Sequence, residues 1–369
     1  MRWNLLRGAS SKPSTPHPST HQPLTPQPLT PQPASPKPDF WRIRNIKSTE
    51  KDAAEEWLRE QGKELGILEG QGFSLAADSE RTLCATLTCR GEPIAPKPHW
   101  RVDKDFIGLT PLVDPQDANV DIIAVTGLGG HALGSFRSAD GVSVWLRDFA
   151  PEDVLRARIV TYGYNTAVVD SESNEGVHEL ASTLLDRLVS FRRNTKTQQR
   201  PLCFVCHSLG GVVLKEALVI SSNAKNPEHI ERHEVMLGTI GLVLMGVPNL
   251  GLRHDQLRTV VNGQPNENFV TDLLARPDGE PSQYLCRLTD DFARLCGQQQ
   301  QPWRIVSYYE RLKSPTLLAS PSKSHFVRHP LLILRLTGVG EWESHGDRAK
   351  TVHGHEELRR THQQLRARH

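Results

Sequence analysis

The chain has 369 residues, 37% of them hydrophobic, which suffices for one large core and a smaller satellite domain. Its 44 basic and 42 acidic residues leave a net charge of +2, which argues against a nucleic-acid-binding surface and against an acidic solvating tail. Six cysteines in so long a chain indicate free thiols and an intracellular, reducing compartment.

Residues 1–39 form a proline-rich segment in which LTPQP occurs twice, at Leu24 and Leu29. A segment of this composition cannot bury apolar surface, so we expect it to be disordered or polyproline-like. It is either a solvated spacer, which we favour, or a ligand for an aromatic-groove module. The basic start, MRWNLLRGASSK, is typical of transit peptides, but the proline tract after it cannot form their amphipathic helix.

Residues 40–98 are predicted to form a small α+β segment. A strand, FWRIRNI, is followed by a helix capped by Ser48 with a body from Lys51 to Glu60, and then by two strands around a polar turn at Asp78 to Arg81. This order is half of the split βαβ fold of RNA-recognition domains. The aromatic signature of those domains is absent, so a structural cap is favoured over RNA binding.

Residues 99–320 alternate strands with helices. The helix from Gly176 to Arg193 carries an apolar stripe with helical spacing. The expected strands are Asp121–Thr126, Ala157–Tyr164, Leu202–Cys206, Thr239–Val247 and Arg304–Tyr309. Such alternation predicts an open, mostly parallel sheet with helices on both faces, whose ligands bind beyond the carboxyl ends of the strands.

A serine follows the third of these strands in the sequence CHSLGG, and a helix follows the serine. The GxSxG pattern of α/β-hydrolases makes a sharp turn here that lifts the serine hydroxyl above the sheet. Ser208 is therefore the candidate nucleophile, with small Cys206 in place of the first glycine. A side chain next to the nucleophile in this turn points elsewhere, so we interpret His207 as scaffold.

A second strand end carries the glycine-rich stretch VTGLGGHALGSF, from Val125 to Phe136. It lacks the GK[ST] of a phosphate loop and the full GxGxxG of a dinucleotide fold, so no cofactor is expected. In a hydrolase such a loop offers backbone N–H groups to an oxyanion. We assign the two donors to the N–H groups of Leu128 and Leu209.

A third strand end offers the acid of a catalytic triad. Glu310 follows the last strand and fits the chain order serine, acid, histidine. Asp255 is the runner-up, and a solvated surface role for Glu310 also stays open.

Cys203 and Cys206 form a CxxC pattern inside a strand. Strand positions three apart point to opposite faces of the sheet, so these thiols cannot share a metal ion, and we interpret both as packing residues. No metal site is expected.

Six ordered blocks together resemble the lipase-like serine-active-site-containing proteins, and more narrowly their fungal members. The blocks are VDIIAVTGLGGHALGSF, WLRDF, ARIVTYGY, CHSLGGVVLKEAL, GVPN and IVSYYE. The resemblance implies an α/β-hydrolase fold and an esterase or lipase activity on an ester or lipid substrate, with a link to phospholipid metabolism. It also implies peripheral association with mitochondrial or endoplasmic-reticulum membranes.

Residues 321–369 lack the histidine block with which that family continues. Histidines are plentiful there, but none has the expected context: His325, His329, His345, His353, His355, His362 and His369. We expect a poorly ordered basic tail, and a departure in the gene model is an alternative. Two functions stay open. The chain is either a serine ester hydrolase, whose activity with this sequence is weak or absent, or a catalytically impaired hydrolase-fold module for binding or signalling.

Overall fold

The computed structural model describes most of the chain between Pro38 and Tyr308. The described residues are 38–63, 72–138, 141–165, 175–252, 257, 259 and 261–308. The proline-rich segment, Asp255, Glu310 and the stretch 321–369 lie outside these ranges. The predictions made for them therefore stay predictions.

The first part of the described chain forms a four-stranded antiparallel sheet with one helix. Its elements are β1 (Asp39–Lys47), α1 (Lys51–Lys63), β2 (Phe73–Ala77), β3 (Thr82–Cys89) and β4 (Arg101–Asp103). The strand order is β2-β3-β1-β4, and Ala54 and Leu58 of α1 are fully buried in its core. The predicted strand, helix and strand pair are all present. The predicted cap is wrong: Ser48 is the first residue of a short 3-10 turn ahead of α1, and its hydroxyl donates to the Glu80 carbonyl at 3.4 Å instead of capping the helix.

The second sheet has six strands in the order β10-β9-β8-β6-β7-β5. The strands are β5 (Gly108–Val113), β6 (Val120–Val125), β7 (Ala157–Gly163), β8 (Leu202–His207), β9 (Thr239–Met245) and β10 (Arg304–Tyr308). The helices are α2 (Ala150–Asp153), α3 (Val177–Asn194), α4 (Leu209–Asn223), α5 (Ile230–Gly238), α6 (Glu267–Leu273) and α7 (Gln283–Gln298). All neighbouring strands are parallel except β5 and β7. The predicted fold class, an α/β-hydrolase-like sheet with helices on both faces, is confirmed.

The edge strand β5 was not predicted from the sequence. Its sequence, GLTPLV, contains Pro111, which pairs with Val160 of β7 just before a register shift. At the edge of a sheet the missing proline N–H leaves no partner strand unsatisfied, so proline is tolerated there.

The two faces of the main sheet bury different side chains. Cys206 lies in the core beneath α3 and α4, whereas Cys203 packs into the core on the opposite face, together with Val205 and Val243. The interpretation of the CxxC pattern as packing on two faces is thus confirmed. All six cysteines are free.

A buried ion pair joins the first sheet to the main domain. Arg147 and Asp148 pair at 2.8 Å in a π-helical turn (Trp145–Phe149), and each side chain is only 1% exposed. Arg147 Nη2 also donates to the Thr88 hydroxyl of β3 at 3.0 Å.

Within the described ranges, no helix is both long enough and apolar enough to cross a bilayer.

Candidate active site

Ser208 occupies a strained turn between β8 and α4. Its backbone angles are φ 51° and ψ −124°, a region that residues other than glycine rarely adopt. Its N–H donates to the carbonyl of Met245 at 2.8 Å, and its carbonyl accepts from Gly211 N–H at 3.0 Å. Strain of this kind costs about 1–3 kcal/mol and persists where the surrounding structure enforces it, which is common at active sites.

Two glycines after the serine let α4 approach its neighbours. A Cβ at Gly210 would lie 2.5 Å from the carbonyl oxygen of Thr126, and one at Gly211 would lie 2.2 Å from Val247 Cγ2. Cys206, which replaces the first glycine of the usual pattern, is completely buried and fits the core. The departure from GxSxG therefore leaves the elbow intact.

The glycine-rich loop after β6 packs directly against this elbow. A Cβ at Gly127 would come within 2.8 Å of Ser208 Cβ and 3.1 Å of the His207 carbonyl oxygen. This contact places the residue after Gly127, Leu128, beside the serine, and Leu209 opens α4, where the first N–H groups have no acceptor within the helix. The two assigned oxyanion donors are thus on adjoining segments, and their role stays a prediction.

Polar side chains brace the start of the loop. The hydroxyls of Thr126 and Ser135 lie 2.5 Å apart, and the buried Tyr164 hydroxyl donates to the Thr126 carbonyl at 2.8 Å. Burial raises the pKa of Tyr164 well above its usual range, so the phenol stays a donor. Tyr164 was not singled out from the sequence.

Lys215 of α4 is a second site feature that sequence reasoning missed. It is 5% exposed, and its Nζ donates to Asn249 Oδ1 at 2.6 Å and lies 5.2 Å from the centre of the Phe292 ring. Burial lowers its pKa to about 8. Because Asn249 ends the GVPN block, this contact fixes the turn after β9 onto α4, the helix that directly follows Ser208. A lysine between the apolar stretches 212–214 and 217–220 was the available signal.

The remaining triad candidates cannot be placed against Ser208. Glu310, Asp255 and the C-terminal histidines lie outside the described residues. Among the described residues, no group of three or more histidine, cysteine or acidic side chains could hold a metal ion. Side chains of β8 alternate between the two faces of the sheet, so His207 lies on the same face as Cys203 and Val205. This placement agrees with the interpretation of His207 as scaffold.

Comparison with protein families supports a serine hydrolase. Residues 125–273 match the family described as "Putative serine esterase (DUF676)", a stretch that holds both the glycine-rich loop and Ser208. Protein SERAC1 from Bos taurus is 23% identical over 232 residues, which cover 58% of this chain and 33% of the relative. The chain thus spans about a third of the length of the curated relatives it matches. Its resemblance to serine-active-site hydrolases is confirmed.

Two solved structures illustrate the structural similarity. Mature lipase BlEst2 from Bacillus licheniformis is 12% identical and matches 54% of this chain and 70% of its own, with a TM-score of 0.33. Phospholipase PlaB from Legionella pneumophila, in complex with thio-NAD, is 12% identical and matches 51% of this chain and 36% of its own, with a TM-score of 0.36.

Proposed function

We propose that this protein hydrolyses carboxylic esters of lipid-like acyl groups, with Ser208 as the nucleophile. The observation that carries the proposal is the strained backbone of Ser208, held between the carboxyl end of β8 and α4 and in contact with the Gly127 loop. A serine hydroxyl becomes nucleophilic with a base beside it, and we assign that role to a histidine from outside the described residues.

The reaction would follow the usual acyl-transfer sequence. Ser208 Oγ attacks the carbonyl carbon while the histidine accepts its proton, and the oxyanion is held by the Leu128 and Leu209 N–H groups. The ester bond then breaks, and the alcohol leaves with the proton from the histidine. Water, deprotonated by the same histidine, releases the acid from the acyl-enzyme. Glu310 is assigned to orient the histidine.

The narrower substrate assignment rests on the sequence blocks shared with lipase-like serine-active-site proteins. They favour a lipid ester as substrate, a link to phospholipid metabolism and peripheral association with mitochondrial or endoplasmic-reticulum membranes. A catalytically impaired binding or signalling module is the second candidate. The observation that favours it is the stretch after Glu310, where no histidine has the expected context.

Fluorophosphonate labelling tests the proposal. We expect the wild type to be labelled and Ser208→Ala to be unlabelled. Ser222→Ala is the matched control, because the Ser222 hydroxyl lies on the same helix and donates only to the Val219 carbonyl at 2.7 Å. Equal labelling of wild type and Ser208→Ala would remove Ser208 as nucleophile, and a folded wild type that takes no label would favour the non-catalytic module.

A further inference from the structure

His131 belongs to the glycine-rich loop after β6 that is assigned to hold the oxyanion, and the backbone of this loop contacts its ring. Its Nδ1 lies 3.1 Å from the N–H of Leu133 and 2.9 Å from the N–H of Gly134. Its Nε2 lies 3.2 Å from the carbonyl oxygen of Lys104. Both ring nitrogens are therefore engaged with backbone groups of fixed polarity.

These partners determine the tautomer of His131. Two N–H donors point at Nδ1, so Nδ1 must be the unprotonated acceptor, whereas the Lys104 carbonyl can only accept, so Nε2 carries the proton. A second proton on Nδ1 would face both N–H groups of Leu133 and Gly134. Protonation of the ring would thus break two hydrogen bonds at once.

The ring of His131 also anchors the loop to the first sheet. It stacks on Phe40 of β1 with ring centres 5.9 Å apart, and it meets the edge of Phe106 at 4.9 Å. Phe106 is fully buried and has φ 51°. Lys104, whose carbonyl accepts from Nε2, directly follows β4. Three of the contacts that fix the ring thus come from β1, through Phe40, and from the segment that follows β4, through Lys104 and Phe106.

A series of short contacts connects His131 to Ser208. The His131 N–H donates to Ser135 Oγ at 3.2 Å, and Ser135 Oγ lies 2.5 Å from Thr126 Oγ1. Between them, the Gly130 N–H donates to the Gly127 carbonyl at 3.0 Å, and Gly127 abuts Ser208. Leu128 lies inside this closed turn, so displacement of His131 displaces the Leu128 N–H.

From these contacts we propose that His131 is a positioning residue that holds the oxyanion loop against Ser208 only while its Nδ1 is unprotonated. The inference rests on the proposed function and deepens it. It makes β1 and the segment after β4 parts that catalysis requires, and it makes the loop sensitive to acid.

The surroundings of the ring oppose its protonation. Burial is the main cause that lowers the pKa of His131 from its ordinary value of 6.5, and the cations of Arg137 and Arg42 add to it. The Lys104 carbonyl and the Asp39 carboxylate act in the opposite direction. The Arg42 cation is itself paired with Asp103 at 2.9 Å. At neutral pH the ring is therefore neutral.

Two substitutions of His131 separate hydrogen bonding from packing in the full-length chain. His131→Phe keeps a ring between Phe40 and Phe106 but removes the acceptor, and His131→Asn keeps an acceptor oxygen near Nδ1 but cannot titrate. The measurement is the rate of fluorophosphonate labelling of Ser208 from about pH 5 to about pH 8. His178→Asn is the control, because the exposed His178 of α3 contacts Glu216 of α4 and neither residue touches the glycine-rich loop in the structure described.

We expect His131→Phe to label about a hundredfold more slowly than wild type, as when an oxyanion donor is lost, and His131→Asn to retain most of the rate. As the pH falls below the pKa of His131, the logarithm of the wild-type labelling rate should decrease more steeply than that of His131→Asn, because the variant lacks this protonation step. Rapid labelling of His131→Phe, or identical acid limbs for wild type and His131→Asn, would overturn the inference.

A spectroscopic measurement is independent of catalysis. In ¹⁵N-histidine spectra of the full chain, the signal that His131→Asn removes should be that of a ring unprotonated at Nδ1 and protonated at Nε2. The opposite tautomer, or a charged ring at neutral pH, would refute the role of His131 even in a protein that labels normally. A wild type that takes no label but shows the expected tautomer would refute the proposed function instead.

Discussion

At the amino ends of the central strands, Arg158 and Asp121 are both fully buried and joined by two hydrogen bonds of 2.9 and 2.6 Å. Hydroxyls of Thr195 and Thr197 satisfy the rest of the guanidinium, and Arg192 completes the cluster. At the carboxyl ends, Ser208 adopts a strained backbone, and among the described residues its hydroxyl has no hydrogen-bond partner. The buried charges at the amino ends of the strands are thus hydrogen-bonded, whereas the Ser208 hydroxyl at the carboxyl ends is unbonded among the described residues.

This difference separates stability from chemistry along one set of strands. A buried ion cluster with all partners in place is costly to break, because each removal leaves an uncompensated charge. A strained turn lowers stability, yet it presents a reactive atom. Substitutions at the amino ends should therefore lower stability, and those at the carboxyl ends should lower turnover.

The largest effect is expected at the carboxyl end, from Glu310→Gln. If Glu310 orients the triad histidine, esterase turnover should fall by about four orders of magnitude, as it does when the equivalent acid of a protease triad is changed. The thermal midpoint should stay unchanged. An unaffected rate, with the loss appearing in Asp255→Asn instead, would move the acid to the loop after β9.

The second effect is expected at the amino end, from Asp121→Asn. The substitution leaves Arg158, Arg192 and Arg200 without the carboxylate they share, and should lower the free energy of unfolding by about 3–5 kcal/mol. Denaturant titration measures it. Labelling of Ser208 in the fraction that remains folded should match wild type, and a selective loss of labelling would show that the two ends are not independent.

Smaller effects are expected from the glycines of the elbow. Gly211→Ala should cost about 1–3 kcal/mol through overpacking against Val247, and Val247→Ala in the same chain should restore part of it. Gly210→Ala meets the Thr126 carbonyl, which is backbone, so Val247→Ala should not relieve it. Double-mutant cycles in urea compare the two, and equal rescue of both variants would contradict the packing described for the elbow.

A pH dependence of stability is expected from Lys215. Its pKa of about 8 lies below its ordinary value of 10.5, so between these values the unfolded chain binds more protons than the folded one. The free energy of unfolding should therefore rise from pH 8 to pH 10.5 relative to Lys215→Met, which lacks this group. Parallel stability curves for the two proteins would show that Lys215 titrates normally.

Continuous apolar runs made the strands of the main sheet predictable. Asp121–Thr126 was expected and β6 runs from Val120 to Val125, while Arg304–Tyr309 was expected and β10 runs from Arg304 to Tyr308. Parallel strands buried on both faces, such as β6, read as unbroken hydrophobic stretches, so their sequence alone reveals them. By contrast, β10 lies at the edge of the sheet and was recognised by its short β-branched and aromatic run. The edge strand β5 escaped notice because Pro111 interrupts its pattern.

The candidate site was predictable only in part. Ser208 and the glycine loop carry local motifs, so the sequence reveals them. The role of His131 depends on the Lys104 carbonyl and on Phe40, which folding brings to it from distant points of the chain. Likewise, the contact between Lys215 and Asn249 exists only once β9 is in the sheet. No local pattern encodes such contacts.

The most direct test of the central claim is the pre-steady-state hydrolysis of a 4-nitrophenyl acyl ester by the full chain. If Ser208 forms an acyl-enzyme, nitrophenol should appear in a burst of about one equivalent per chain, followed by a slower steady rate. Ser208→Ala should show neither phase, while Ser222→Ala should show both. A burst or steady hydrolysis of equal size in Ser208→Ala would contradict the assignment of Ser208 as the nucleophile.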